Sequence, residues 1–276
     1  MAEMTGTRDN AALRRSGAEP DVWTRLRQFT PARIGLGRAG GSLPTRALLD
    51  FDLAHARARD AVHAAFEAED LARQVSEAGF GEAIVVTSQA RHRMEYLLRP
   101  DLGRALDEAG REMLRARRSS EPTLAVVIAD GLSAIAPARH AVAVLREAGA
   151  GWGMPIGECW KNVTVVVANR ARVALGDEIG ELLGAEAVVV LIGERPGLSS
   201  PDSLGIYLTW APRVGRTDAD RNCISNIRPE GLPYEEAARR LVYLLCEARR
   251  LQLSGVGLKD DSEAAGSRLK ESGGRL

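Results

Sequence analysis

The clearest chemical potential lies in the segment LIGERPGLSSPDSLG (191–205), which follows a strongly apolar run. Glu194 and Arg195 leave the predicted strand together. A carboxylate at that place can accept hydrogen bonds from hydroxyl or amide groups, and a guanidinium can donate paired bonds. The glycines and prolines that follow predict an ordered loop, which favours a functional role. A surface salt bridge in a tight turn is the alternative that this chemistry leaves open.

A second polar segment, TDADRNCISNIRPEG (217–231), is interpreted as a loop after the fifth predicted strand. It contains Cys223, with Arg221 two residues earlier and no neighbouring histidine. This setting gives weak support to a catalytic thiolate. We therefore expect Cys223 to pack beside a ligand pocket, where Ser225 and Asn226 offer polar contacts.

Several other motifs lack the context that their chemistry requires. The segment GLGRAG (35–40) has the spacing of a dinucleotide-binding loop but follows no strand, so it is predicted to be a turn. His55 lies among alanines in a long helical stretch and is expected to pack or hydrogen-bond rather than bind a metal. Asp130 and Ser133 stand near a strand end without the G-x-S-x-G pattern, which favours a helix cap or a ligand contact.

Composition narrows the possible partners. The 276 residues include 37 Lys+Arg and 37 Asp+Glu, for a formal net charge of +0, so no global field favours nucleic acid or an anionic membrane. Three cysteines without a Cys-x-x-Cys pair suit a reducing compartment. No run approaches the roughly 18 apolar residues of a membrane span, and the chain is predicted to be cytoplasmic.

The elements that must position these residues alternate along the chain. Apolar, β-branched runs predict strands, amphipathic stretches predict helices between them, and a further helix from Pro233 closes the series. Such alternation predicts an α/β fold with a mainly parallel sheet covered on both faces, and ligands gather at the carboxyl ends of its strands. The predicted strands are 83–87, 124–130, 163–169, 187–193 and 205–211, and the predicted helices are 101–118, 133–148 and 173–184.

The sequence also predicts how the chain is divided. A short helix at 21–29 and one long helix or a bent pair at 45–78 form a small helical N-terminal domain (21–78), which precedes a Rossmann-like domain (79–258). The polar segments 1–20 and 259–276 lack periodic apolar residues and are expected to be mobile.

One predicted helix, LGDEIGELLGAE (175–186), carries a glycine at every fourth position. An interior glycine costs a helix about 1 kcal/mol relative to alanine. Gly176 and Gly180 therefore predict a close approach to the sheet or another flat surface, whereas Gly184 is predicted to end the helix as a cap. Asp177 and Glu181 are expected to face water or a partner.

These segments resemble the small subunit of ethanolamine ammonia-lyase over nearly all of residues 21–260. The resemblance is carried most specifically by RVALGDEIGELLGAEAVVVLIGERPGLSSPDSLG, DRNCISNIRPEG and GVGLKD. It implies a subunit that binds adenosylcobalamin at its interface with a larger TIM-barrel subunit, which binds ethanolamine and supplies most catalytic groups. The family's cobalamin-binding positions fall on Val173, Glu194 and Cys223, and the resemblance assigns this chain no catalytic residue and no metal ligand of its own.

The activity implied is a radical conversion of ethanolamine to acetaldehyde and ammonia, started by homolysis of the cobalt–carbon bond. Members of the family can also enter a bacterial microcompartment through an N-terminal extension. Two other hypotheses remain open at this stage. In the first, the chain is a stand-alone α/β enzyme that uses Glu194, Arg195 or Cys223 on a small metabolite. In the second, it is a scaffold that binds only its partner.

Overall fold

The computed structural model describes residues 22–121, 123–150 and 162–262. The segment 1–20 and most of 259–276, which we predict to be mobile, lie outside these ranges. The described chain divides into two compact units, one comprising residues up to Asp60 together with Gly197–Ser200, and the other comprising the remainder from Ala61. The second unit contains the sheet.

The sheet has six strands in the order β1-β3-β2-β4-β5-β6. The strands β1 to β4 run parallel to one another, and β5 is antiparallel to both β4 and β6. The α/β class is thus confirmed, with a sheet of mixed rather than uniform direction. The strands are β1 (Ile84–Thr87), β2 (Thr123–Ala129), β3 (Asn162–Asn169), β4 (Ala187–Gly193), β5 (Leu204–Trp210) and β6 (Arg221–Ile227).

Helices cover both faces of the sheet, because successive side chains of its buried strands point to opposite sides. Leu124, Val126 and Ile128 pack with helices α2, α5 and α7 on one face, and Ala125 and Val127 pack with α4 and α6 on the other. The α-helices are α1 (Thr45–His63), α2 (Ala68–Glu77), α3 (Arg93–Leu98), α4 (Glu108–Ala116), α5 (Ile135–Ala150), α6 (Leu175–Leu183) and α7 (Tyr234–Leu251).

The helical predictions hold in type and shift at their ends. The stretch 45–78 forms two helices, α1 and α2, and α2 packs on the sheet, although the sequence placed it in the N-terminal domain. The predicted helix 101–118 is shorter, because Asp107 caps α4 by accepting from the backbone N–H of Gly110 at 2.8 Å. A three-residue 3₁₀ turn, Leu102–Arg104, precedes it.

The prediction of a loop at 217–231 was wrong, because residues 221–227 form β6. Asn226 adopts a left-handed conformation at φ 59°, and the register with β5 shifts there by one residue. This β-bulge places Ile224 and Ile227, three residues apart, in the same buried cluster. The interruption hides the two-residue period by which a strand is recognised.

The direction of β5 corrects a second expectation. A loop after residue 211 was expected to join the other loops at the carboxyl ends of the strands. Because β5 runs antiparallel to β4, that loop lies at the opposite edge of the sheet. The start of β5 and the end of β6 take its place beside the end of β4.

Helix α6 shows why its glycines are needed. A Cβ at Gly176 would overlap the Val190 side chain, and a Cβ at Gly180 would overlap Pro212 and lie 3.4 Å from Val188. Gly184 ends the helix at φ 71°. The predicted close approach and the predicted cap are both confirmed.

The expectation that Asp177 faces water or a partner was wrong. Its carboxylate is buried, and Oδ2 accepts from Nη2 of Arg221 at 2.6 Å, with both side chains only 3% exposed. Burial raises the pKa of Asp177 to about 7, against the opposing effect of Arg221. The first turn of α6 is therefore tied to the first residue of β6.

The described part of the first unit begins with a 3₁₀ helix, Val22–Phe29, where a short helix was predicted. Trp23, Leu26 and Phe29 are exposed at 62%, 43% and 78%. The segment GLGRAG contains three glycines at positive φ and no strand precedes it in the described chain, as expected for a turn. No helix in the described ranges is long and apolar enough to cross a membrane.

Candidate functional site

An open cleft of about 430 Å³ lies in the second unit, at the carboxyl ends of the parallel strands. From β2 the chain continues to α5 on one face of the sheet, and from β3 it continues to α6 on the other. A crevice between strands whose connections diverge in this way is the usual ligand position in α/β sheets. The cleft is lined by Tyr96, Gly131, Leu132, Arg172, Val173, Ile192, Gly193, Glu194, Arg195 and Tyr207.

The floor of the cleft is backbone, formed where the turn after β2 meets the end of β4. Leu132 N–H donates to the carbonyl of Gly193 at 2.9 Å. A Cβ at Gly131 would overlap that same carbonyl, and a Cβ at Gly193 would lie 2.6 Å from the carbonyl oxygen of Asp130. Only glycine permits this approach, since Gly131 also adopts a positive φ of 53°.

One wall is the turn between β3 and α6, which starts at a strained residue. Arg170 has a φ of 53°, which a non-glycine side chain adopts at a cost. Its carbonyl accepts from the Ser88 hydroxyl at 2.8 Å, and its Nε donates to the Ala90 carbonyl at 2.6 Å. These contacts fix where the turn leaves β3.

The next two residues of the turn are held by their backbones. Ala171 N–H donates to Oδ1 of Asp130 at 2.9 Å, and its carbonyl accepts from the Tyr96 hydroxyl at 3.0 Å. Arg172 N–H donates to the Gly103 carbonyl at 2.8 Å. Val173 follows, and its N–H donates to no acceptor among the described residues. The turn thus presents a fixed, available amide at the cleft.

Asp130 is the anchor of this wall rather than a ligand group. It lies at the end of the central strand β2, and its Oδ2 accepts from Nη1 of Arg93 at 3.0 Å. Burial raises the pKa of this carboxyl, and the nearby Arg93 opposes that shift. Ser133 also has a structural role, because its hydroxyl donates to the Pro201 carbonyl at 2.8 Å.

Two guanidinium groups stack on Tyr96. The central carbon of Arg172 lies 4.4 Å from the ring centroid and that of Arg93 lies 4.9 Å from it. A Cβ at Gly103 would lie 2.9 Å from the ring and 3.0 Å from Cγ of Arg172. Close packing against Gly103 therefore holds Arg172 and Tyr96 in their stacked arrangement.

The opposite wall carries Glu194. Its Oε2 accepts from the Ser203 hydroxyl and from Asn226 N–H, the latter at 3.2 Å. Its backbone N–H donates to the Ser203 carbonyl at 2.9 Å. Oε1 accepts from no donor in the described part of the chain. One oxygen positions the carboxylate, and the other remains available to a ligand.

Cys223 lies beside this wall, on β6 opposite Tyr207 of β5. Its thiol lies near the Tyr207 and Ser225 side chains, which act to lower its pKa. Although the residue is exposed, partial desolvation by surrounding atoms raises the pKa of the thiol, and the charge of Glu194 adds to that shift. The group is therefore a thiol at neutral pH, as expected for a packing cysteine.

Two of the three predicted site residues, Val173 and Glu194, line one cleft, and Cys223 reaches its edge through Tyr207. Arg195 also lines it. Sequence reasoning missed Tyr96, Arg172 and Tyr207. Arg172 could have been found as the neighbour of Val173, but nothing in the local pattern marks Tyr96, which reaches the cleft by tertiary packing. Within the described ranges no cluster of His, Cys, Asp or Glu could hold a metal ion.

Comparison with known proteins agrees with the resemblance. The family model of the ethanolamine ammonia-lyase light chain (EutC) matches residues 20–259. The ethanolamine ammonia-lyase small subunit of Xanthomonas campestris pv. campestris is 56% identical over 246 residues, which cover 88% of this chain and 89% of the relative. The small subunit of Pseudomonas syringae pv. tomato is 53% identical over 263 residues, covering 94% and 88%. The chain therefore belongs to the ethanolamine ammonia-lyase light-chain family and is a subunit of that lyase.

Proposed function

We propose that this chain binds part of adenosylcobalamin in the cleft and that the large subunit of ethanolamine ammonia-lyase completes the site. The observation that carries the proposal is the cleft itself, which unites Val173 and Glu194 from separate connections at the carboxyl ends of the strands. In the proposed complex the cofactor supplies the radical chemistry that converts ethanolamine to acetaldehyde and ammonia.

The size of the cleft supports a shared site. Its volume of about 430 Å³ lies near the lower end of the roughly 300–1,000 Å³ that suits a drug-sized ligand. Cobalamin is considerably larger than such a ligand. This chain can therefore enclose only a portion of the cofactor, which leaves the remainder to a partner chain.

The available polar groups suit a corrinoid. Cobalamin carries primary amides around its ring, each of which both donates and accepts hydrogen bonds. Oε1 of Glu194 can accept from such an amide, and the N–H of Val173 can donate to its carbonyl. The fixed positions of both groups limit the entropy that binding would cost.

The same geometry disfavours independent catalysis. The pKa of Cys223 is raised, whereas a nucleophilic cysteine requires a lowered one. The described residues contain no metal-binding cluster. A cofactor that carries the difficult chemistry would remove the need for either.

The finer architectural and cellular assignments belong to the same proposal. The sheet and its two helical layers are interpreted as a Rossmann-like cobalamin-binding domain, with a separate helical region before it. We further infer that the assembly acts in ethanolamine catabolism, in the cytoplasm or in a bacterial microcompartment.

The test is reconstitution with the cognate large subunit, followed by measurement of cobalamin binding and ethanolamine deamination. Glu194→Gln is expected to weaken cobalamin binding about tenfold, because a neutral amide replaces a charged acceptor. Glu112→Gln is the matched control, since Glu112 is exposed on α4 outside the cleft. Deamination by the isolated chain, or equal cobalamin affinity in Glu194→Gln and the control, would contradict the proposal.

A further inference from the structure

Arg172 differs from Arg93, the other arginine that stacks on Tyr96. Arg93 has a carboxylate partner, Asp130, at 3.0 Å. Arg172 lines the cleft yet has no carboxylate within ion-pair distance in the described chain, and its side chain makes one long hydrogen bond, from Nη2 to the Tyr96 carbonyl at 3.3 Å. Its Nε is buried and bonds to no described acceptor. The guanidinium is therefore positioned without being neutralised.

The charges of the residues that line the cleft also favour an anionic ligand. Arg172 and Arg195 both line it, and Glu194 is the one carboxylate among its lining residues. That carboxylate already accepts two hydrogen bonds through Oε2. A single negative charge facing two positive charges leaves a basic surface, which favours an anionic ligand group.

Stacking makes Arg172 a prepared binding group. The Tyr96 ring lies 4.4 Å from its central carbon, and an arginine held on an aromatic face keeps its planar donors in a fixed orientation. Such a guanidinium binds an oxyanion through paired N–H donors more strongly than it binds a neutral carbonyl. A phosphate ester is an oxyanion that can accept such paired bonds.

We infer that Arg172 forms an anion subsite that binds the phosphodiester of the nucleotide tail of cobalamin. The inference rests on the proposed cofactor function and adds an orientation to it. The nucleotide side of the cofactor lies toward Arg172 and Tyr96, and Glu194 on the opposite wall contacts an amide-bearing part.

The experiment compares two corrinoids on the complex reconstituted with the cognate large subunit. Cyanocobalamin carries the phosphodiester, whereas dicyanocobinamide lacks it together with the nucleotide base. Bound corrinoid is measured by its absorbance after the free ligand is removed. Arg172→Met is expected to weaken cyanocobalamin binding about tenfold to a hundredfold, the effect of losing a charged hydrogen bond, and to leave cobinamide binding unchanged.

Two further variants sharpen the assignment. Arg172→Lys keeps the charge and loses the planar fork, so its cyanocobalamin affinity is expected to fall between those of Arg172→Met and the wild type. Arg99→Met removes a charge from an exposed side chain that pairs with Asp101, and it is expected to bind both corrinoids like the wild type. Circular dichroism and subunit association establish that each variant folds and assembles.

The outcomes separate this inference from the function on which it rests. A wild-type complex that binds neither corrinoid would overturn the cofactor function. A wild-type complex that binds cyanocobalamin, with Arg172→Met equal to it, would overturn only the subsite. Equal losses for the two corrinoids, or weakened subunit association, would show that Arg172 supports the fold or pairs with the partner. A lysine variant as weak as the methionine variant would indicate stacking on the nucleotide base.

Discussion

An arginine has a different role at each end of the segment 172–177. On the packed face of α6, Asp177 accepts from Arg221, whose Nη1 and Nη2 also donate to the carbonyls of Thr217 and Arg216. At the cleft, Arg172 makes one long hydrogen bond and stacks on an aromatic ring. Both arginines leave Nε without an acceptor among the described residues.

An unpaired Nε therefore does not distinguish a binding residue from a structural one. The informative difference is the carboxylate, which Arg221 has at 2.6 Å and Arg172 lacks. Removing one partner of a buried ion pair destabilises the fold, so the contact between Arg221 and Asp177 is structural. A charge at an open cleft is tolerated by solvent and remains available to a ligand.

Among the tests of this comparison, Arg221→Met is expected to have the largest effect. The substitution leaves the Asp177 carboxylate buried and unpaired, and we expect the free energy of unfolding to fall by about 3–5 kcal/mol. Arg172→Met is expected to lower it by less than about 1 kcal/mol, as for a group without a fixed ion pair. Urea unfolding of the full chain measures both values, and equal losses would remove the distinction.

Gly180→Leu tests the packing beside that ion pair. The new side chain would strike Pro212 and Val188, and overpacking of this kind costs about 1–3 kcal/mol. We also expect weaker assembly or cofactor binding, because α6 follows directly from the turn that carries Val173. Pro212→Ala in the same chain should recover part of the stability. A Gly180→Leu complex with normal stability and activity would leave the glycine unexplained.

The pH dependence of Arg221→Met gives a smaller effect. Desolvation raises the pKa of Asp177 to about 7 even beside Arg221, and loss of the arginine removes the opposing interaction. A carboxyl with a raised folded pKa contributes stability at low pH and loses it as the pH rises through that pKa. The gap between variant and wild type should therefore widen between pH 6 and pH 9. A constant gap would show that Asp177 does not titrate in this range.

Cys223→Ser is expected to have the smallest effect. The thiol packs beside Tyr207 with a raised pKa, and serine preserves a hydroxyl that can bond to the same partner. The reconstituted complex should keep substantial deamination activity and cobalamin binding. Loss of turnover with intact cobalamin binding would place Cys223 in the chemistry and contradict its assignment as a packing residue.

Periodicity was sufficient to predict most of the fold. The runs that became β1 to β5 are apolar and β-branched, and the glycines of α6 announced its approach to the sheet. Periodicity failed to predict structure where tertiary geometry overrides the local pattern. The bulge at Asn226 concealed β6, and the reversal of β5 has no signature in its own residues.

The site was predictable to the extent that single segments carry it. Val173 and Glu194 stand in long specific motifs, and the structure brings them to one cleft. Asp177 was misplaced because helical spacing alone cannot reveal that Arg221, 44 residues later, returns to cover it. Tyr96 was missed for the same reason, since its hydroxyl donates to the carbonyl of Ala171, which lies 75 residues later in the sequence.

The glycine floor of the cleft limits how this protein can change. Because Gly131 and Gly193 bring two main chains into contact, nearly any side chain added at either position would push the turns apart before it reached a ligand. A single substitution at either glycine therefore cannot change the depth of the cleft without moving the two turns. Divergence in ligand preference is left to side chains that line the cleft, such as Arg172 and Glu194.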